Sequence, residues 1–517
     1  MKKAMRYSIL LGLSVLLSAS MDFSSSGDFL DLVRDYRISR EHEIIKEFME
    51  LLSLPNVSSD RDGVRKNAEF IQKMMTMRGI ETQIMETAGN PVVFGELKVS
   101  DAARTLMFYV HYDGQPVDPS KWTETHPFTP ALRPAKLKAG TTEPKPIPFP
   151  GPGAKFEEDW RIYARSASDD KAPIMAILTA LDAFKQAGIG LKNNLKFVFE
   201  GEEEAGSTNL RPFLEKHKDL LQCDVLFMCD GPVYYSGDPT MFFGVRGITT
   251  LEITVYGPNT SVHSGHYGNW APNPAVRLAY LLASMRDTTG RVKIKGFYDT
   301  VVPLTDFEKK ALQAVPSYEN EIKENYGFSG EEKNWGSLLE AVQFPALNIN
   351  GLQSGWVGAQ QRTIIPPTAT AAIDIRLAKG NDPEDMAQKI IIHIREQGYH
   401  VIDHEPDQKT RMTFPLIAKV IRTEEGYKAH RTSMDLPISR MAIRALEKLK
   451  GGKPVFLPSL GGSLPIHMFY AILEIPIIGI SIANHDNNQH QPDENIRIGN
   501  LWQGIETFAG VLMMDEE

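Results

Sequence analysis

The sequence has few cysteines, no excess of positive charge and, after its first 20 residues, no long apolar run. Two cysteines among 517 residues exclude a disulfide framework of the kind that holds small secreted domains together. Lysine and arginine number 56 against 65 aspartates and glutamates, a formal net charge of −9. Nucleic-acid binding requires clustered positive charge, so we expect no nucleic-acid partner. The length and the 42% apolar content predict a globular protein of two or three domains.

The two cysteines, Cys223 and Cys229, flank a segment (224–228) that is typical of a buried strand. Six residues of strand span about 20 Å, whereas a disulfide requires Cα atoms within about 7 Å of each other. We therefore expect two free, buried thiols.

The first 20 residues have the layout of a secretory signal peptide. Three basic residues precede an apolar run at 9–17, and small residues follow it at 18–20. The alternative is a buried N-terminal helix. The apolar run is too short to span a bilayer comfortably. We therefore predict a signal peptide at 1–20 and an exported protein, periplasmic or secreted, with no membrane contact after its removal.

Apolar strands alternate with helical stretches in the first half of the chain. The pattern predicts strands at 105–110, 195–199 and 225–229 and an apolar helix at 173–187. This order indicates an α/β fold with a mostly parallel, mixed sheet that carries helices on both faces.

The pattern changes after residue 242. Segments 249–255 and 369–375 alternate in the manner of half-exposed strands, and the first pattern returns at 475–481. We predict an α+β domain inserted into the first domain. The predicted limits are 29–242 and 421–517 for the two parts of the first domain and 243–420 for the inserted domain.

Polar residues of the metal-binding type follow the ends of the predicted strands or begin the apolar helix. In an open α/β sheet such residues converge outside the carboxyl ends of the strands. Each one alone has an ordinary explanation, such as a helix cap or a turn, but four together predict a site. The four segments are 111–113, 167–171, 200–207 and 229–231.

These motifs and several later ones resemble a metallopeptidase family that includes carnosinase, cytosolic non-specific dipeptidase, acetylornithine deacetylase and carboxypeptidase G. The resemblance covers nearly the whole chain after the signal peptide and implies a zinc-exopeptidase-like fold. The Pro-rich segment 131–158 is longer than its usual counterpart, and it is either a functional loop or a passive surface insertion. The matching motifs are 111–116, 165–171, 200–207, 262–265, 374–376, 461–465 and His490.

The resemblance implies a role for each matching residue. One metal ion would be bound by His111 and Asp230 and a second by Glu204 and His490, with Asp169 bridging the two ions. Glu203 would be the general base, and Asp113 would orient His111. The resemblance implies a homodimer built on the inserted domain, in which His263 binds substrate in the active site of the partner subunit. It also implies that the terminal carboxylate of the substrate is held by Arg376, Gly462 and Ser463. It further implies that the first domain is catalytic and that the inserted domain acts in dimerisation and as a lid. The same resemblance implies a cis peptide bond between Asp169 and Asp170.

The chemistry of amide hydrolysis fits these residue types. Two metal ions about 3.5–4 Å apart activate water and polarise a carbonyl, and a mixed nitrogen and oxygen ligand set suits Zn²⁺ and admits Mn²⁺ or Co²⁺. We predict a metal-dependent hydrolase of dipeptides or small peptides with a free C-terminal carboxylate. The alternatives are an N-acyl amino acid deacylase with the same site and a binding protein with a dead site, which the full set of candidate ligands disfavours.

Overall fold

A computed structural model describes residues 28–333 and 335–515, so the predicted signal peptide lies outside the described residues. The α-helices are α1 (Asp28–Leu52), α2 (Arg61–Met77), α3 (Lys171–Ala187), α4 (Leu210–Lys216), α5 (Ser264–Tyr267), α6 (Pro274–Met285), α7 (Asp306–Gln313), α8 (Glu319–Tyr326), α9 (Leu338–Ala341), α10 (Pro383–Glu396), α11 (Gln408–Thr413), α12 (Pro437–Glu447), α13 (Ile466–Leu473) and α14 (Ile498–Leu512). The strands are β1 (Glu81–Met85), β2 (Val92–Leu97), β3 (Thr105–His111), β4 (Ala131–Arg133), β5 (Arg161–Tyr163), β6 (Asn194–Glu200), β7 (Val225–Met228), β8 (Thr240–Phe242), β9 (Gly244–Val245), β10 (Gly247–Tyr256), β11 (Val262–His263), β12 (Ala346–Gln353), β13 (Ile364–Ile365), β14 (Thr368–Leu377), β15 (His400–Ile402), β16 (Ile417–Tyr427), β17 (His430–Arg431), β18 (Val455–Leu457), β19 (Ile477–Ser481) and β20 (Asn495–Arg497).

The largest sheet has eight strands in the order β1-β2-β6-β3-β7-β19-β8-β18. Its four central strands, β6, β3, β7 and β19, run parallel to one another, and antiparallel pairs lie toward both edges. The carboxyl ends of the central strands therefore meet at one edge of the sheet, which is where an open α/β sheet binds its ligands.

Strand β3 shows how the sheet is buried on both faces. Phe108 and Val110 point into the core that contains α1, α3 and α14, whereas Met107 and Tyr109 point into the core that contains α4 and α13. Successive side chains of a strand face opposite sides, so an uninterrupted apolar run is required for helices to cover both faces.

Helix α3 is almost completely buried between α1 and α14. Its apolar residues surround the whole helix, as expected of a helix in the interior, and it ends at Gly188, whose φ of 68° is left-handed. The first residue, Lys171, is buried and donates from Nζ to the carbonyl of Leu51 at 3.0 Å. The start of α3 is thereby held at the carboxyl edge of the sheet.

A second sheet of five strands, in the order β12-β14-β10-β16-β15, has a core of its own. Apolar residues of α6 and α10 cover one face of it. The outer strand β12 is largely exposed. The segment from α7 to α9 instead packs on the large sheet, because Phe307 joins one of its cores and Val315 and Leu339 join the other.

The predicted α/β class, with a mixed sheet and helices on both faces, is confirmed. The strands and the helix predicted from the sequence lie within two residues of those observed. The limits of the catalytic and inserted domains stay predictions. Among the described residues, no helix is both long and apolar enough to cross a bilayer.

Two details differ from the prediction. The Pro-rich segment 131–158, expected to be a loop or a surface insertion, begins with strand β4, which pairs with β5 in a small sheet that also includes β20. The buried Arg133 at the end of β4 donates to the carbonyls of Pro144 and Thr123, at 2.5 and 2.7 Å, so the Pro-rich loop is anchored from within. Both cysteines are free, but Cys223 is only half-buried because it lies before β7 begins.

Candidate metal centre

Three residues from separate elements meet at the carboxyl edge of the large sheet. His111 is the last residue of β3, Asp230 follows β7, and Asp169 lies just before α3. The Nε2 atom of His111 is 2.9 Å from Oδ1 of Asp169 and 3.8 Å from Oδ2 of Asp230. All three side chains are buried, and the peptide bond between Asp169 and Asp170 is cis, as predicted.

A second group forms on the other oxygen of Asp169. Glu204 lies in a 3-10 turn (Glu203–Ala205) after β6, and His490 lies in the loop after β19. The Nε2 atom of His490 is 3.1 Å from Oδ2 of Asp169 and 3.4 Å from Oε2 of Glu204. About half of the His490 side chain is exposed, so the centre opens to solvent on this side.

Asp169 thus belongs to both groups and presents a different carboxylate oxygen to each. Within each group the potential ligand atoms lie within 4.8 Å of one another. One histidine nitrogen and two carboxylate oxygens for each ion form a donor set that suits Zn²⁺ and also Mn²⁺ or Co²⁺. The five residues therefore fit two divalent cations that share one carboxylate.

The acidic groups of the centre carry strongly perturbed pKa values. Burial, assisted by the charge of Asp169, raises the pKa of Asp230 to about 6 and that of Glu204 to about 7. Burial also raises the pKa of Glu203 well above its ordinary value. Burial opposes the ionisation of Asp169 too, but hydrogen bonds from two histidines outweigh it and lower the pKa of this carboxyl. Several buried carboxylates at one point favour a bound cation.

The carboxylate of Asp113 contacts residues of both metal groups. This buried carboxylate lies 3.4 Å from Nδ1 of His111, so it can orient the ring. It also accepts the backbone N–H groups of Glu203 and Glu204 at 3.1 and 3.0 Å and the hydroxyl of Ser58 at 2.5 Å. The same carboxylate therefore positions a histidine of one group and the turn that carries a carboxylate of the other.

The residues predicted to bind a terminal carboxylate come together across the two sheets. Arg376 on β14 of the smaller sheet donates from Nη1 to the hydroxyl of Ser463 at 3.1 Å. Ser463 follows the exposed Gly462 and donates to the carbonyl of Arg246 at 3.1 Å. Asp374 lies beside Arg376, with Nε of the arginine a loose 3.9 Å from Oδ1, and two asparagines already donate to this carboxylate.

His263 lies on the surface, as the last residue of β11 and the N-cap of α5. Its ring is 4.6 Å from that of His266, and its Nδ1 accepts the N–H of Gly265 at 3.1 Å. Among the described residues, the two metal groups do not include His263. A role in its own chain's centre is therefore not supported by these contacts.

Three polar residues near the centre did not stand out in the sequence. Gln115 donates to Glu204 at 2.7 Å, and Gln489 donates to Asp169 at 2.9 Å. Glu494 is fully buried and accepts the backbone N–H of Asp169 at 3.0 Å. Gln115 belongs to the matching motif 111–116, where it had no assigned role, and Gln489 and Glu494 lie close to His490 in the sequence. These positions were the only available signal for the three residues.

Known proteins similar to this chain have the same fold. The human Beta-Ala-His dipeptidase is 25% identical over 98% of this chain and 97% of its own, and the Cys-Gly metallodipeptidase DUG1 of Saccharomyces cerevisiae is 24% identical over 93% and 96%. Among solved structures, the M20 family metallo-carboxypeptidase Sso-CP2 of Sulfolobus solfataricus has a TM-score of 0.70 and 28% identity over 91% of this chain and 99% of its own. Human carnosine dipeptidase 1 has a TM-score of 0.69 at 22% identity, over 94% and 98%.

The prediction of an exported protein is wrong. The Cys-Gly metallodipeptidases of two yeasts, each of which matches 93% of this chain, are cytosolic enzymes. The prediction was based only on the charge and hydropathy of residues 1–20, which lie outside the described residues.

A family model described as Peptidase family M20/M25/M40 matches residues 107–514, which is most of the chain and includes both metal groups. The resemblance inferred from the motifs is thereby confirmed, as is the prediction of an enzyme. The chain belongs to the peptidase family M20/M25/M40.

Proposed function

We propose that this protein hydrolyses the amide bond of dipeptides or small peptides that have a free C-terminal carboxylate, using two divalent metal ions. The observation that carries the proposal is Asp169, whose two carboxylate oxygens face two separate histidine-containing groups. When bound, two metal ions supply Lewis-acid activation of water and of the scissile carbonyl. Zn²⁺ is the metal we propose, with Mn²⁺ or Co²⁺ able to replace it.

Glu203 is the general base in this proposal. Among the described residues it belongs to neither metal group, although it is adjacent to Glu204, which does. Its backbone is held by Asp113, and its buried carboxyl has a raised pKa. A carboxylate with a raised pKa can take a proton from water and return it to the leaving amine at neutral pH. Glu202, by contrast, accepts a hydrogen bond from Asn209 at 2.7 Å.

Arg376 and Ser463 hold the terminal carboxylate of the substrate. A guanidinium binds a carboxylate through two parallel hydrogen bonds, and the exposed turn at Gly462 offers backbone N–H groups beside the serine hydroxyl. Because Arg376 lies on the smaller sheet and Ser463 lies in the loop after β18 of the large sheet, a bound carboxylate favours closure of the cleft and exclusion of water. The dipeptidase names of the human and yeast relatives support a dipeptide rather than an N-acyl amino acid as the substrate.

A homodimer built on the inserted domain completes the proposal. Large apolar side chains are exposed there, with Trp270 81%, Tyr280 75% and Val357 87% accessible. Exposed apolar groups of this size are typical of protein interfaces. His263, which lies in the same domain and is exposed, then contributes to the active site of the partner subunit.

The test is a hydrolysis screen with matched substrates. A dipeptide, its C-terminal amide and the N-acetyl derivative of the C-terminal amino acid are compared after loading the protein with Zn²⁺, Mn²⁺ or Co²⁺. We expect hydrolysis of the dipeptide and little of the amide. Faster hydrolysis of the N-acetyl amino acid would assign a deacylase instead, and no hydrolysis of any substrate with any of the metals would contradict the proposal.

A further inference from the structure

A single buried carboxylate joins the two loops that carry ligands of both metal groups. Glu494 lies in the loop between β19 and β20, four residues after His490, and none of its surface is exposed. Oε2 accepts Nη1 of Arg165 at 2.7 Å and the N–H of Ser166 at 3.0 Å. Oε1 accepts the N–H and the hydroxyl of Ser168 and the N–H of Asp169, each at 3.0 Å.

The loops joined in this way have backbone conformations that need support. Ser166 has a φ of 61°, and Asn488, His490 and Asp493 have φ values of 58°, 61° and 59°. A residue other than glycine in the left-handed region costs about 1–3 kcal/mol and persists only where its surroundings fix it. The contacts of the Glu494 carboxylate provide such fixation for the loop that contains Ser166 and Asp169.

Only an ionised carboxylate satisfies this arrangement. It presents two acceptor oxygens and no donor, and each of the five surrounding groups donates to it. Hydrogen bonds to a charged acceptor are about twice as strong as neutral ones. The amide of glutamine would direct N–H groups at two or three of the same donors, and aspartate would be one methylene too short to reach them.

We propose that Glu494 is a positioning residue that sets the spacing between Asp169 and His490 and thereby the affinity for the metal ions. The proposal rests on the metal site proposed above. Glu494 touches no potential ligand atom through its carboxylate; it acts through the backbone of Asp169 and through the loop that it shares with His490. Partners behind the ligands commonly change metal affinity by about 10–100-fold.

The experiment compares metal affinity in Glu494→Gln with that in Glu506→Gln. Glu506, on α14, is the matched control, because it is also a poorly exposed glutamate paired with an arginine, accepting Nε and Nη2 of Arg34 at 2.8 and 2.6 Å. Dissociation constants for Zn²⁺ are measured by competition with a chelator on metal-free full-length protein. Circular dichroism of each metal-free variant shows whether it is folded.

We expect the dissociation constant of Glu494→Gln to rise about 10–100-fold and that of Glu506→Gln to stay within twofold of the wild type. A Glu494→Gln protein that is folded and binds Zn²⁺ as tightly as the wild type would overturn the inference. Wild-type protein that binds no Zn²⁺ would instead overturn the proposed function. If Glu494→Gln does not fold, Ser168→Ala removes one donor and should weaken Zn²⁺ binding several-fold; unchanged affinity in that variant would also refute the inference.

Discussion

The carboxylate of Asp113 provides the sharpest test of how the centre is held together. In Asp113→Asn, one acceptor oxygen becomes an NH₂ group of the same size. The change preserves packing and removes the charge. Because the aspartate accepts hydrogen bonds from Ser58, Glu203 and Glu204, the new NH₂ group must face a donor.

The magnitude follows from the geometry. Oδ1 accepts the N–H of Glu203, and Oδ2 accepts the N–H of Glu204. In either orientation of the amide, one of these two backbone N–H groups loses its acceptor in a buried site. An unsatisfied buried donor costs about 1–3 kcal/mol, and the remaining bonds lose their charge assistance. We expect the free energy of unfolding of the metal-free protein to fall by about 2–4 kcal/mol.

Urea unfolding of the metal-free protein measures this change. The control is Asp118→Asn, because Asp118 is exposed and accepts the N–H of Ser120 at 3.1 Å, a capping role that asparagine also performs. The control should be within about 0.5 kcal/mol of the wild type. A loss below about 1 kcal/mol in Asp113→Asn would refute the view that this carboxylate holds the turn at Glu203 and Glu204.

Three further predictions concern substrate binding, the dimer and acid stability. Arg376→Lys should lower kcat/KM for a dipeptide by at least about tenfold while leaving the low rate on its amide unchanged, because an ammonium cannot form two parallel bonds; equal losses on both substrates would contradict the role. Mixing His263→Ala chains with Glu203→Gln chains that exchange subunits should restore part of the activity in hybrid dimers, and no recovery would count against action across the interface. Burial lowers the pKa of His430 to about 4, below its unfolded value of about 6.5. The contribution of the neutral imidazole to the free energy of unfolding is therefore complete above pH 6.5 and is lost as the pH falls toward 4. Between pH 6.5 and 4 the free energy of unfolding of His430→Gln, measured by urea titration, should therefore fall by up to about 3 kcal/mol less than that of the wild type. Identical pH profiles of the two proteins would contradict this.

Much of the fold could be predicted because its central strands are apolar on both faces. Segment 105–110 is apolar after Thr105 and segment 195–199 is apolar except for Lys196, and the structure has strands β3 and β6 there. The short strands β8 and β18 lack such a run and were missed, since three residues do not establish a period. Strand β4 was missed because the prolines after it dominate the pattern.

The candidate ligands could be predicted because each one follows a recognisable element. His111 and Asp230 come at or just after strand ends, and Asp169 precedes an apolar helix. Glu494 could not be predicted in this way. It lies in a polar loop with no period, and its partner Arg165 is 329 residues away in the sequence. Only the folded chain brings these loops together.

The number of metal ions bound per chain tests the central claim most directly. Elemental analysis of dialysed protein is compared for the wild type, Asp169→Ala and Glu203→Gln, with dipeptide hydrolysis measured on the same samples. We predict two metal ions in the wild type and in Glu203→Gln, hydrolysis by the wild type alone, and the loss of both metals in Asp169→Ala. A wild-type protein with one metal or none, or an Asp169→Ala protein that keeps two, would contradict a centre bridged by Asp169.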